Sequence, residues 1–268
     1  MQANAKGGQT GTAAAIVDKT REVASALSPN TVQVWPGAQN FNTITDAMNS
    51  ITGASAQEIY QVAVGPGTYP ENVVMKDYVF IVGSGQDQTI ITAPANAQNP
   101  VGVVNSCSGG GISELTIEAP GGSWGCWPVG IKICGSGSFH ISGITINAGA
   151  GSTANNIRGI TNNTGSEVGS VTVGSCIIKA NGDNQSTGVG IDLFGLGMVA
   201  FVELTSIDVE GNEQNFGIST AMQATVTVDD AKIVAATWAL YDSDGQSPIT
   251  ANQCVIKGPV SSGVQVNN

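Results

Sequence analysis

Charge is scarce in this chain: 11% of its 268 residues are charged, against 36 glycines. That balance argues against long solvated helices, which need charged faces, and suits many tight turns. Basic residues are scarcer still, nine against twenty acidic, for a net charge of −11 with no basic patch. Nucleic acid is therefore disfavoured as a partner, and so are bare pectate, alginate and anionic lipid. A neutral sugar, a small molecule or a calcium-bridged acid remains compatible. No apolar run approaches the roughly 18 residues of a membrane helix, so no membrane partner is expected. The opening MQANAKGGQTG lacks the basic and apolar regions of a secretory signal. The expected compartment is cytoplasmic if Met1 is the native start, and extracellular or periplasmic if a signal has been removed.

Cysteine is sparse and odd in number: Cys107, Cys126, Cys134, Cys176 and Cys254, with no C-x-x-C pair. At least one thiol must stay unpaired, and the spacings match no metal site. Core packing is the expected use of these thiols. Neither a metal nor a cofactor is expected.

Repetition organises the remainder. A pentapeptide of the form apolar-x-Ile-x-small recurs, centred on Ile91, Ile117, Ile146, Ile178, Val209, Ile233 and Ile256, at spacings of 26, 29, 32, 31, 24 and 23. A second series keeps step with it: Gly102-Val103, Gly130-Ile131, Gly159-Ile160, Gly190-Ile191, Gly217-Ile218, Ala239-Leu240 and Gly263-Val264. A third, weaker column passes near Ile112, Ile141, Val171, Val202, Val226 and Ile249. Period-two alternation of β-branched residues reads as strand, and helical repeats fail on the frequent glycines, each costing a helix about 1 kcal/mol. Columns that stay in step while their spacing drifts mean that loops vary and strands stack. The fold expected is all-β: a single-stranded right-handed parallel β-helix of about seven or eight rungs with short N-terminal capping helices. One domain spans residues 1–268, with a cap segment over 1–31 and rungs over 32–268. Residues 12–27 and 43–51 carry helix-compatible apolar spacing and read as caps.

The order VQVWPGAQNFNTITDAMNSI, then YQVAVGPGTYPENVVMKDYVFIVGSGQDQTIIT, resembles the opening of the pectin methylesterases and the wider pectin-lyase-like superfamily. The resemblance rests on Thr43-Ile44 with Ala47, on Gly67 to Val73, on Gly83-Ser84-Gly85 and on Thr89-Ile90-Ile91. It implies a β-helix and a carbohydrate ligand. The esterase motifs, however, are missing. Pro128 or Val129 stands where those enzymes carry a Gln, Gly151 falls near their acid, and neither D-F-I-F-G nor G-R-P-W occurs. Only Asp183 sits where the nucleophile would fall. Asp229-Asp230 lacks the companions of a polygalacturonase, and the arginines, Arg21 and Arg158, offer little for a pectate-lyase base. Esterase, polygalacturonase and pectate lyase activities are therefore not expected.

Alternation fixes the outward residues. Beside the Gly-Ile series runs Val104, Lys132, Thr161, Asp192, Ser219, Tyr241 and Gln265, with no adjacent opposite charge in the column. On another face Lys179 is expected beside Glu210, and Asp208 beside Lys232, as structural charge pairs. Loops of the first half are long, and one carries Trp124, Cys126 and Trp127 at the edge of the Gly-Ile face. Aromatics beside a polar column suit sugar stacking or a small-molecule pocket. The candidate catalytic residues are Asp192, Lys132, Tyr241 and Asp183; the candidate ligand contacts are Trp124, Trp127, Arg158 and Thr161. The only histidine, His140, reads as a surface or turn residue. Asn105 and Asn162 read as inward hydrogen-bonded turn residues. Asn162 and Asn184 fit the N-x-S/T pattern, which matters only in a glycosylating pathway.

Three functions remain open: a carbohydrate-active or carbohydrate-binding protein acting on a neutral or esterified glycan, a small-molecule lyase, isomerase or cyclase, and a non-catalytic assembly module. The last strand, within SGVQVNN, is expected to be an uncovered edge, which suggests a homo-oligomer.

Overall fold

A computed structural model describes residues 30–35, 41–94, 101–105, 109–121, 127–149, 156–162, 169–182, 186–195 and 197–267. The strands form three sheets of ten, eight and seven members, and successive strands visit each sheet in turn. Every pairing between strands is parallel. From Tyr60–Val64, Gly67–Pro70 and Val73–Val74 to Thr225–Asp229, Lys232–Ala235 and Trp238–Asp242 there are seven complete strand triplets, each one rung. The chain is thus a right-handed parallel β-helix. Among the described residues no helix is long and apolar enough to cross a membrane.

The core is a stack of identical positions. Ile91, Ile117, Ile146, Ile178, Ile207, Ile233 and Ile256 lie in one register column. All but Ile256 are wholly out of solvent. Against them stand Gly130, Gly159, Gly190 and Gly217, where a Cβ would come within 2.3–2.4 Å of the Cγ2 of Ile146, Ile178, Ile207 and Ile233. The glycines are therefore required by close approach across the solenoid. The turn from the ten-stranded to the eight-stranded sheet is also repeated: Glu114, Gly143, Ser175, Leu204, Asp230 and Gln253 all have positive φ, between 48° and 59°. From the strand Gly109–Ser113 onward, one left-handed residue per rung makes a sharp corner that returns the next side chain to the interior.

Several register expectations need correction. In the fifth member of the isoleucine column, Ile207 replaces Val209, which pairs instead with Ala235. In the third column Ile112 and Ile141 continue as Val173, Val202, Val228 and Ala251. Both errors are slips of two residues, which leave the buried face unchanged and so escape a pattern based on alternation. The slip also moves the charge pairs: Lys179 registers with Asp208 and Ser206 with Lys232. Val264 leaves the Gly-Ile series altogether. The strand Val264–Asn267 pairs with Ile249–Asn252 at the edge of the ten-stranded sheet, and Val260 bridges to Leu240 in its place. Gln265 therefore lies on a different face from Tyr241.

The opening residues hold the first rungs together. Thr43 caps the helix Ile44–Ser50 by accepting from the Asp46 N–H. The Glu71 carboxylate accepts from the backbone N–H groups of Ile44 and Thr45, each at 2.8 Å, so an acid faces the unpaired donors of the helix start. The Tyr69 hydroxyl donates to the Gly65 carbonyl at 3.0 Å inside the core. This helix is the expected cap over 43–51; the cap over 12–27 lies outside the described residues.

Candidate functional site

The outer face of the seven-stranded sheet carries two columns. Lys132, Thr161, Asp192, Ser219 and Tyr241 are in strict register on successive rungs, as expected. Three residues earlier on each strand stand Val129, Arg158, Val189, Phe216 and Trp238, again in register. The two columns flank the inward Gly-Ile pairs.

Arg158 and Asp192 connect the columns. The Arg158 Nε donates to Asp192 Oδ2 at 2.5 Å, with side chains 14% and 4% exposed. The Arg158 guanidinium also lies 5.4 Å from the centre of the Trp127 ring, in cation-π range. Trp127 itself is 41% exposed and forms the outer layer. Burial pushes the Asp192 carboxyl above its ordinary value, although the Arg158 charge, the Arg158 hydrogen bond and a Ser219 hydrogen bond all pull it down. The column itself offers Asp192 no opposite charge, as expected, yet the carboxylate has one. Its partner comes from the neighbouring column, diagonally across one rung, where a survey of a single column does not look.

Two polar atoms in this cluster are unsatisfied. Arg158 Nη1 and Thr161 Oγ1 are buried and find no hydrogen-bond partner among the described residues. Leaving such a group unpaired costs about 1–3 kcal/mol, which is why buried polar atoms are nearly always bonded to protein, water or ligand. Both can donate. Nε is occupied by Asp192, while the Nη1 arm has a donor to spare. Because the Arg158 and Asp192 charges offset each other, a neutral ligand meets the least opposition.

The structure thus brings together Trp127, Arg158, Thr161 and Asp192. Lys132 lies in the Thr161 column, half-buried, one rung from Thr161 and two from Asp192. Tyr241 does not join the polar cluster. Its ring packs against Phe216, centroids 5.3 Å apart, and stacks on Trp238 at 5.4 Å. Phe216 and Trp238 were not expected at this face; they occupy the position before each inward Gly or Ala, the same signal that marks Arg158. Trp124 and Asp183 lie outside the described residues. His140 is half-buried on the ten-stranded sheet, and burial lowers its pKa. Asn162 bridges rungs, donating to the Phe194 carbonyl at 2.5 Å and accepting from the Phe194 N–H at 2.6 Å, a structural ladder as expected.

Comparison with known proteins bears on the fold. The Pectinesterase family model matches residues 30–110, under a third of the chain. Among solved structures, a pectin methylesterase from carrot is similar with a TM-score of 0.58 at 15% identity, over 88% of this chain and 76% of that one. A pectin methylesterase mutant solved in complex with a hexasaccharide gives 0.49 at 9% identity, over 85% and 79%. Pectin methylesterase PemA from Erwinia chrysanthemi gives 0.41 at 8%, over 90% and 81%. No curated protein sequence matches the chain. The fold is pectin-lyase-like, a parallel β-helix of the kind pectin methylesterases have. The matched segment contains Thr43, Tyr69, Glu71 and Thr89, whose hydrogen bonds all hold the first rungs. It ends before Trp127, Arg158 and Asp192.

Proposed function

We propose that this protein binds or processes a neutral or esterified glycan on the outer face of its seven-stranded sheet, at Trp127, Arg158, Thr161 and Asp192. The observation that carries the reading is the pair of buried unsatisfied donors, Arg158 Nη1 and Thr161 Oγ1, beside a charge-balanced ion pair and beneath an exposed indole. A sugar offers both halves of the match, hydroxyl or ester oxygens for the donors and a C–H face for the ring. The likeness in fold to the carrot enzyme, whose name states its action on pectin, supports a carbohydrate ligand. Any chemistry centres on Asp192, whose raised pKa suits proton exchange with a bound hydroxyl.

Binding to neutral and methyl-esterified polysaccharides, measured on a glycan array and by calorimetry, tests this. Wild-type protein should bind, and Trp127→Ala should weaken binding about tenfold or more. Absence of binding and turnover across such a panel would refute the proposal. Self-association is proposed on a separate observation: among the described residues Val264–Asn267 has a strand neighbour on one side only, and Val266 is 39% exposed. Light scattering of a concentrated solution should show a homo-oligomer, and a strict monomer would exclude it.

A further inference from the structure

We propose that Phe216, Trp238 and Tyr241 form a second subsite, a stacking platform for another sugar ring of the same glycan. This presupposes a glycan ligand at Arg158 and Asp192. The three aromatics occupy the same two outward columns as the polar cluster, on later rungs. Tyr241 stands two rungs beyond Asp192, and Trp238 two rungs beyond Val189, which flanks that pair. At 4.7–4.9 Å per strand the platform lies about 10 Å from the ion pair along the solenoid axis. Only a ligand longer than one pyranose can occupy both.

The rings face outward rather than into the core. None of the three belongs to the buried hydrophobic cluster, and each stays partly open to solvent. The Trp238 and Tyr241 rings are inclined by 26° to each other, with Phe216 tilted 47° against Tyr241. The links that enter their strands, residues 210–213 and 236–237, are short, whereas those that enter the strands beginning at Val101, Val129, Asn156 and Thr187 run to between six and nine residues. Aromatics are only 5% of the chain, yet three of them meet in ring-to-ring contact on this sheet. If covering the last strand were all that was needed, aliphatic residues would serve. Ring faces beside a polar anchor fit a saccharide running along the axis, gripped at Arg158 and stacked at the platform.

The test compares ligand length. Methyl-esterified oligogalacturonides and cello-oligosaccharides, each as disaccharide and hexasaccharide, are titrated against the full chain by calorimetry. In the wild type the hexasaccharide should bind about tenfold more tightly than the disaccharide, the added contact being an aromatic one. In Trp238→Ala and Tyr241→Ala that ratio should collapse towards one. Trp238→Leu, which keeps apolar cover without a ring face, should behave like the alanine variant and decides the matter if the alanine variant misfolds. Binding with no length dependence, or a ratio preserved in all three variants, overturns the platform and leaves the Arg158 site standing. No binding of either probe at either length overturns both.

Discussion

Arg158 and Asp192 form a largely buried ion pair on the outside of a β-solenoid, joined by a 2.5 Å bond from Nε to Oδ2. Removing one partner of such a pair leaves the other ionised without compensation, at a cost of about 3–5 kcal/mol. Arg158→Met should therefore lose about 3 kcal/mol in denaturant unfolding at neutral pH. The loss should shrink as pH falls, because Asp192 can then take up a proton. An equal loss at both pH values would mean that the carboxylate finds another cation.

The wild-type pH dependence follows from the direction of the Asp192 shift. Burial raises the folded carboxyl above the ordinary aspartate value, so the folded chain keeps a proton that the unfolded chain has released. The resulting stabilisation is complete below the unfolded value and is lost as pH rises through the folded one. Asp192→Asn removes this titration and should flatten the stability profile just above the ordinary aspartate range. At neutral pH it should impair glycan binding and also lower stability, because the buried Arg158 charge loses its counter-ion, though by less than Arg158→Met since the amide oxygen can still accept from Arg158. Superimposable profiles for wild type and variant would show that Asp192 titrates normally.

How far the sequence alone reaches is visible in the columns. Ile146 and Ile178, Gly130 and Gly159, and the ladder from Lys132 to Tyr241 are legible because alternation and the rung period agree there. Ile207 was missed in favour of Val209 because both point inward, and only hydrogen-bond register separates them. The pairing of Arg158 with Asp192 depends on a diagonal between columns, and the clustering of Phe216, Trp238 and Tyr241 on three-dimensional proximity. Neither is a spacing along the chain.

The core makes its own prediction. Ile146→Ala or Ile178→Ala should cost about 2–5 kcal/mol, since both side chains are fully enclosed. Gly159→Ala should be destabilising from the opposite direction, because its Cβ would meet Ile178 Cγ2 at 2.4 Å and the Gly190 carbonyl at 2.5 Å. In an Ile178→Ala background, which removes that Cγ2 but not the Gly190 carbonyl, the same Gly159→Ala substitution should recover only part of its loss. Full recovery would mean that the Gly190 backbone shifts freely.

The thiols should react at different rates. Cys176 is buried and burial pushes its pKa up to about 12, so it should resist a thiol reagent in the native state. Cys254 is only half-buried, which corrects the expectation that both are enclosed, and its pKa is raised by burial to a lesser effect. Native protein should therefore label at Cys254 before Cys176, with Cys176 reacting on unfolding. Equal labelling rates, read by mass spectrometry of the digested protein, would place Cys176 outside the core.

The corner column offers a substitution expected to stabilise. Leu204 sits at the repeated left-handed corner with φ of 48° and is 57% exposed. A left-handed conformation costs a residue with a Cβ roughly 1–2 kcal/mol, and an exposed leucine recovers little of this by packing. Glycine occupies the equivalent corner at position 143 with φ of 59°. Leu204→Gly should remove the strain but raise the entropy of the unfolded chain by about 0.5–1 kcal/mol, leaving a small net gain. Leu204→Asn, which tolerates the conformation with less entropy in the unfolded state, should gain about as much or more. The neighbouring Thr205 hydroxyl donates to the Glu203 carbonyl across this corner at 2.8 Å, which holds the turn shape when the leucine is replaced. A fall in melting temperature for both variants would show that Leu204 contributes contacts outweighing its backbone strain.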